Sequence, residues 1–485
     1  MDTNQSTRTG VGESATQTLP SAPDGVAAIP VPRGRFGHLL RIRTFDSLRF
    51  RDYRLLWLGQ GGTSMGQWMD QVARTWLIYQ LTGSALQLGA VSAMRAMPML
   101  FFSLVAGVVA DRYGRKSQLI ISQVTNVILN LVLATLVLTG YIQAWHIYVT
   151  AFLAGTVQAF QQPARQALIS DLVGTDHLAN AVALNSAIFN LMRSLGPAVA
   201  GTTIALIGVD GSYYAQAALF AWATLWTVQM SVPGEPGLLG AMGRRLRKVP
   251  LTRPADVSTI VIPTESERDE TEPAQEARHG HLEDGSFFAS MREGFGYLMD
   301  HDLILSLMFL SLAPVLLGMP YASLIPIFAL DILNVGSVGQ GFLLTSAGIG
   351  ALLGALTIAS LGTFRHKGML LLAGATMFGL SLVAFSRSTS MPISMMCLFF
   401  AGMSNTSYTS QAQTIIQALT PSYIRGRVLS IYMLNRGLMP LGSLLAGALA
   451  TWFGGPWAVT LMGTSCALLA ISIGFKTPRI REIEI

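Results

Sequence analysis

Of the 26 acidic residues in the chain, all but one fall in tails, loops or the ends of apolar stretches; Asp70 sits well inside one. An ionisable group in hydrocarbon costs about 2.5–3.5 kcal/mol on insertion scales, so such a residue is a functional candidate by default. Burial and a nearby cation act in opposite senses on a carboxyl group, and a carboxyl poised between them can take up and release a proton. A structural ion pair is the plainer alternative. Four cations lie inside apolar stretches as well: Arg74, Arg95, Arg193 and Arg436. Positions 70 and 95 are nearly equidistant from a turn at Thr82-Gly83. Antiparallel neighbours then hold them at similar depth, within reach of an ion pair. Arg74, one helical turn further out, is expected to snorkel toward the interface. With one acid against several cations, the cavity is expected to be electropositive. It would favour a substrate with an anionic or hydrogen-bond-accepting group over a simple cation.

Amides gather at comparable depths. Gln60, Gln67 and Gln71 lie in the first apolar stretch, Gln158, Gln161 and Gln162 in the fourth, and Asn405, Tyr408, Gln411 and Gln413 in the tenth. Trp68, Phe160, Tyr321 and Tyr408 are able to stack a large organic ligand, although core packing or an interfacial belt is the commoner role for each. The chain has no G-x4-G-K-[ST] loop for ATP and no H-E-x-x-H or C-x-x-C site. The seven histidines lie in tails, loops or at the ends of apolar stretches, and Cys397 and Cys466 are isolated. No metal, disulfide scaffold or cofactor is therefore expected.

Hydropathy sets the elements that position these groups. The 485 residues are 51% hydrophobic and 12% charged, with a mean hydropathy of +0.47; soluble domains carry about 25% charged residues. The surplus of six positive charges invites a nucleic-acid partner, but most charges lie outside the apolar stretches. About 20 apolar residues at helical rise cross a bilayer, and this criterion predicts twelve spans. They are 53–80, 86–110, 117–140, 144–166, 181–207, 212–232, 303–330, 337–362, 368–387, 391–415, 428–452 and 456–475. The predicted fold is thus an all-α membrane protein of twelve transmembrane helices in two pseudo-symmetric six-helix bundles.

Its expected parts are a cytoplasmic tail with a basic interfacial segment (1–52), an N-terminal bundle (53–232), a cytoplasmic linker (233–302), a C-terminal bundle (303–475) and a short tail (476–485). Residues 1–35 lack the apolar run of a signal peptide and read as disordered. Lys and Arg in short loops mark the cytoplasmic side. Arg112, Arg115, Lys116, Arg365, Lys367, Arg425 and Arg427 occupy one set of connections, while the opposite set has none, with Arg387 at one border. Both termini and the central loop are therefore expected in the cytoplasm. That loop begins basic, able to lie against anionic headgroups, and turns acidic and aromatic-poor over 265–284, a composition of disorder. Phe287, Phe288, Met291, Phe295 and Leu298 recur at helical spacing and predict an interfacial helix.

The halves resemble each other. Residues 182–201 slide onto 428–447 without a gap, pairing Val182 with Val428, Leu195 with Leu441, Gly196 with Gly442 and Gly201 with Gly447. Internal duplication of this kind typifies secondary transporters that rock two halves about a midplane site. Between the second and third spans lies "GVVADRYGRKS", of the form G-x3-D-R-x-G-R-K. Gly107 allows close helix contact, Gly114 a tight turn, and Asp111, Arg112, Arg115 and Lys116 supply the charges of a surface latch. The corresponding "ASLGTFRHKG" has Gly362 where Asp111 would align, so the latch is expected in the first half only.

On this motif the sequence resembles the major facilitator superfamily. "YRLLWLGQ", "WLIYQLTGSALQLG", "QQPARQALISDLV" and "NAVALNSAIFNLMRSLGPAVAG" are similar to its drug-proton antiporter branch, which includes macrolide-efflux proteins and enterobactin exporters. The resemblance implies that Asp111 and Arg115 latch the cytoplasmic side when the transporter faces outward, with Asp171 as partner of Arg115. It also makes Gly196-Pro197 similar to a fifth-helix antiporter motif, beside the alternative of packing through small residues with a proline kink. In this superfamily the first, fourth, seventh and tenth helices line the cavity. The implied substrate site therefore comprises Gln67, Gln71, Gln158, Gln161, Arg193, Asn405, Tyr408, Gln411 and Arg436, with Asp70 and Arg95 coupling protons. The implied activity is proton-coupled efflux of a small amphipathic molecule by a monomer in the cell membrane. Export of an anionic metabolite such as a siderophore, or flipping of a lysolipid, is the alternative; a non-transporting sensor is remote.

Overall fold

A backbone crossing lipid must satisfy its own N–H and C=O groups, and a helix does so within one segment. The computed structural model describes residues 43–112, 114–232, 287–361 and 366–483, and helices form all of its long elements, with no strand among the described residues. Residues 1–42 of the N-terminal tail and the basic and acidic parts of the central loop lie outside these residues, while Arg43–Arg49 of the basic segment form a 3-10 helix. The helix expected before the seventh span is present as Phe287–Met299.

The N-terminal half begins with α1 (Arg51–Thr82), α2 (Ala85–Arg112) and α3 (Arg115–Leu138). A helical stretch from Ala144 to Val228 follows, broken by Gly174 (φ 68°, ψ 178°) and Gly208 (φ 80°, ψ 174°). That backbone region is open essentially to glycine alone, so the stretch is three segments: α4 (144–173), α5 (175–207) and α6 (209–228). The C-terminal half contains α7 (Asp302–Ile332), which passes through two π-helical turns, and α8 (Gly336–Leu361). Then come α9 (Lys367–Arg387), α10 (Met391–Leu419), α11 (Ser422–Phe453) and α12 (Gly455–Lys476). By length and hydropathy alone eight helical stretches can cross a bilayer, the Ala144–Val228 stretch counting once. With its two glycine breaks, and with the more polar α1 and α10, the architecture is consistent with twelve crossings.

The internal repeat is visible in the backbone. Gly454, between α11 and α12, has φ 81° and ψ 157°. At the offset of the sequence alignment it corresponds to Gly208, between α5 and α6. The aligned pair Gly201 and Gly447 also make matching contacts. A Cβ on Gly201 would lie 2.3 Å from the Ser337 carbonyl oxygen on α8, and one on Gly447 would lie 2.8 Å from that of Ala85 on α2. On the facing helices, a Cβ at Gly89 would stand 2.3 Å from the Ser443 oxygen and one at Gly341 2.4 Å from the Pro197 oxygen. The halves thus cross twice, α5 on α8 and α11 on α2, each time backbone against backbone.

Hydrogen bonds strengthen the same end. Ser337 Oγ donates to Gly201 O (3.0 Å), Ala198 N to Thr345 Oγ1 (3.0 Å), Gln340 Nε2 to Thr75 Oγ1 (3.1 Å), and Tyr79 Oη to Asp331 Oδ2. One apolar core here joins both halves, including Met69, Trp76, Leu88, Ile204, Leu324, Phe328, Leu343 and Phe385. At the opposite end the core divides. Tyr53, Leu56, Leu119, Leu168 and Leu184 pack within the N-terminal half, and Leu307, Leu371, Ile415, Ile424 and Val428 within the C-terminal half.

Candidate functional site

Asp70 faces the interior of the N-terminal half and is 4% exposed. Arg74 follows it by four residues on α1, so the two side chains share a face. Arg74 Nη2 donates to Asp70 Oδ1 at 2.7 Å and Nε to Oδ2 at 3.3 Å. Its remaining Nη1 donates to Thr150 Oγ1 (2.7 Å) and Ile147 O (3.2 Å) on α4. At 2% exposure Arg74 does not snorkel, which corrects that expectation. The reason is local: an acceptor one turn away and two more on α4 use its planar fork fully. Arg95 approaches from α2 and its Nη1 donates to the same Oδ2. Tyr213 of α6 adds a hydroxyl to this electrostatic neighbourhood. One carboxylate between two guanidinium groups leaves a net positive charge.

Arg95 is held on a distinctive piece of helix. Pro98 lies within α2 one turn on, where it cannot donate to the carbonyl four residues earlier, a common cause of kinks. Gly155 of α4 lies so close that a Cβ there would be 2.0 Å from the Arg95 carbonyl oxygen. Beside the cluster is a cavity of about 10 Å³, lined among others by Gln67, Asn126, Asn130 and Gln158. That is about the room of one water molecule.

A larger cavity of about 160 Å³ lies between the halves. Trp68, Gln71, Arg193 and Pro197 line it from one side, and Tyr321, Phe378, Gly402 and Asn405 from the other. The Arg193 guanidinium stands 5.9 Å from the centroid of the Trp68 ring. The lining contains no Asp or Glu. The buried Trp68 Nε1 and Asn405 Oδ1 have no protein partner, which leaves a donor and an acceptor for a ligand or water. Drug-sized pockets enclose roughly 300–1,000 Å³, so this state does not enclose a large substrate.

The expected cavity residues therefore divide. Gln71, Arg193 and Asn405 line the central cavity; Gln67 and Gln158 line the small one beside Asp70. Gln161 is buried and its Oε1 accepts from Gln67 Nε2 at 3.1 Å. Tyr408 and Gln411 line neither cavity, contrary to expectation. Tyr408 lies on the α10 face toward α7, where its hydroxyl donates to Leu310 O at 3.0 Å. The Arg436 side chain lies outside the described residues. Of the aromatics, Trp68 and Tyr321 line the cavity, whereas Phe160 packs on Phe102 with ring centroids 6.0 Å apart. Spacing alone offered two signals that the sequence reading did not use: the i, i+4 pairing of Arg74 with Asp70, and the four-residue spacing of Asn126 and Asn130 on α3.

At the opposite end, Arg115 Nη1 meets Asp171 Oδ2 at 2.5 Å, and Lys116 Nζ donates to Val228 O (2.9 Å) and Met230 O (2.5 Å). The side chains of Asp111 and Arg112 lie outside the described residues. Gly107 makes no close helix contact, since a Cβ there would meet nothing within 4 Å. Gly114 turns with φ −52°, a value any residue adopts. Gly196 faces Trp68, whose Cβ would be 2.6 Å from a Cβ at that position. Gly196 and Pro197 keep helical backbone, and the non-helical breaks fall at Gly174 and Gly208.

Two packed helical halves with a largely apolar cavity between them, carrying a few polar groups, are the architecture of a multi-pass membrane transporter. The chain belongs to the transmembrane secretion effector family, whose model matches residues 42–246 and 271–485. It is 25% identical over 420 residues to the staphyloferrin A transporter of Staphylococcus aureus, covering 86% of this chain and 94% of the relative. It is equally identical over 432 residues to the multidrug efflux pump Tap of Mycolicibacterium fortuitum, covering 87% and 94%. In fold it is similar to the solved structure of a bacterial homologue of the human lysosomal transporter Spinster, in an inward-facing and unoccupied conformation. The TM-score is 0.64 at 15% identity, over 89% of this chain and 97% of that one. The protein is an efflux transporter of the major facilitator superfamily.

Proposed function

We propose that this transporter exchanges protons for a small amphipathic molecule, expelling the molecule by alternating access. The observation that carries the reading is the buried Asp70 carboxylate, shared between Arg74 and Arg95. Arg74 belongs to the same helix as Asp70 and moves with it. Arg95 belongs to α2, which also crosses α11 of the other half at Gly89. When the halves rock, α2 is the element through which the motion reaches the ion cluster, and the backbone hydrogen bond missing at Pro98 lets Arg95 shift relative to α1. Proton uptake and the Arg95 contact compete for Oδ2. Withdrawal of Arg95 therefore makes Asp70 available to a proton, and a bound proton removes the reason for Arg95 to return. A ligand or proton shifts such an equilibrium only through its difference in affinity for the two states, and this competition supplies one.

On the charge rule, the end where the halves are joined faces outward, both termini face the cytoplasm, and the arrangement described is open inward. Arg115 and Asp171 are paired within the N-terminal half in this state, where they tie the cytoplasmic ends of α3 and α4 together. The substrate binds between the bundles against Trp68, Gln71, Arg193, Tyr321 and Asn405. Arg193 in a cavity without carboxylates supports a substrate bearing an anionic or acceptor-rich group, and so supports a dedicated metabolite exporter as second reading. Profiling of cells against dyes, macrolides and polycarboxylate metal chelators separates the two.

The coupling is tested in proteoliposomes under an imposed pH gradient, with ethidium or a radiolabelled macrolide, whichever the profiling shows to be exported. Asp70→Asn is expected to reduce gradient-driven transport at least 100-fold while the protein remains folded by circular dichroism. Undiminished driven transport by that variant would remove Asp70 from coupling.

A further inference from the structure

The N-terminal half contains buried polar groups that neither the ion cluster nor the central cavity uses. On α3, Gln118, Ser122, Asn126 and Asn130 succeed one another at four-residue spacing, all buried, over about 18 Å of helix axis at 1.5 Å per residue. Gln60, Thr63 and Ser64 on α1 and Gln161 and Arg165 on α4 are buried as well. Cross-links place these stripes together: Gln123 Nε2 donates to Thr63 Oγ1 (3.4 Å), Gln67 Nε2 to Gln161 Oε1 (3.1 Å) and Gln118 Nε2 to Phe160 O (3.0 Å). Asn126 and Asn130 reach the cavity that holds Asp70.

Many of their atoms have no protein partner. The side-chain oxygens of Gln60, Gln118, Gln123 and Asn130 lack a donor; Gln161 Nε2 and the Nε and Nη2 of Arg165 lack an acceptor, although Arg165 is only 8% exposed. Native interiors pair nearly all such groups, with water where protein does not serve. Free acceptors on α1 and α3 and free donors on α4 lie inside one bundle, and Asn130 brings them to the Asp70 cavity; they form a lining that bridging water satisfies.

We propose that a file of water threads the N-terminal bundle from Asp70 toward the end bearing Arg115 and Asp171, and that Asp70 exchanges its proton along it rather than through the substrate cavity. The inference rests on Asp70 being the exchanging carboxyl, which Arg74, Arg95 and Tyr213 face from α1, α2 and α6. In the step, the O–H bond of the neutral carboxyl breaks and its proton joins the adjacent water. That water passes one of its own protons onward, so one proton leaves the far end and the carboxylate is freed to pair with Arg95. The fixed charge of Arg165 raises the cost for any cation beside it. The relay therefore follows the α1 and α3 side, and permeation of sodium-sized ions is held back.

The full-length protein in lipid nanodiscs is transferred from H2O to D2O, and the carboxyl stretch of protonated Asp70, assigned by its loss in Asp70→Asn, is followed by time-resolved infrared spectroscopy. Asn126→Leu is expected to slow isotope exchange at this carboxyl at least tenfold, Asn126→Ser to restore it to within threefold, and Ser381→Ala in the other half to leave it unchanged. Ser122→Val reads the same step if Asn126→Leu does not assemble. Unslowed exchange in the blocked variants would overturn the internal path and leave Asp70 as the coupling group. A carboxyl band that never titrates between about pH 5 and 9 would overturn path and coupling together.

Discussion

The two halves share a backbone plan but not an interior. The N-terminal half buries Asp70, Arg74 and Arg165 and a series of amides on α1, α3 and α4; the C-terminal half buries mostly serines, with Gln340, Asn405 and Gln411 as its amides and no buried charge among the described residues. Two copies of one architecture have thus divided the work. One half carries ionisable chemistry. The other supplies a wall to the cavity and, in the proposed exchange, the surface against which the first half moves. Where the halves meet they are alike again, in the backbone crossings at Gly89 and Gly447 and at Gly201 and Gly341.

The comparison breaks most severely at those crossings. Gly89→Leu and Gly201→Leu are each expected to reduce transport more than 100-fold, since a side chain has no room against a carbonyl oxygen at 2.3 Å. Disulfide trapping between α2 and α11 would then show the joined end held open. If the single-half picture is right, the larger thermal effects follow the N-terminal half. Arg74→Ala leaves Asp70 without its bidentate partner, and loss of one member of a buried pair costs about 3–5 kcal/mol, read as a lowered Tm. Serine-to-alanine changes at Ser381 or Ser394 are expected to leave Tm nearly unmoved. A middle-sized effect belongs to the cavity: Arg193→Gln is expected to raise KM about tenfold for a carboxylate-bearing substrate and little for an uncharged one. The smallest is at the opposite surface, where the partly exposed Arg115–Asp171 pair contributes no more than about 1 kcal/mol to stability. Asp171→Asn should therefore change transport kinetics more than Tm.

Much of this division was legible in the sequence. Asp70 stood out because it was the one acid well inside an apolar stretch, and its equal distance with Arg95 from the turn at Gly83 pointed to their meeting. The gapless match of 182–201 with 428–447 pointed to duplicated halves, and the structure gives Gly201 and Gly447 equivalent contacts. What periodicity did not convey was the rotation of individual helices. On α10, Asn405 faces the cavity, whereas Tyr408, three residues on, turns toward α7 and bonds Leu310. Arg74 was misjudged because depth alone argued for snorkelling, and only the fold shows Thr150 and Ile147 waiting on α4. Gly107 read as a contact glycine, yet a Cβ there would meet no described neighbour; Gly114 does lie in the short turn between α2 and α3, with a φ that any residue adopts. The four-residue ladder on α3 was present in the sequence, but its meaning depends on the polar faces of α1 and α4 being turned toward it.

Proton release on ligand binding tests the central claim most directly. Purified protein in lightly buffered solution, with a pH indicator, is mixed with the exported dye or macrolide at a pH where Asp70 is protonated. The competition between proton and Arg95 at Oδ2 predicts release of about one proton per transporter from the parent protein and none from Asp70→Asn. Equal release from both, or none from either while the ligand binds, would contradict it.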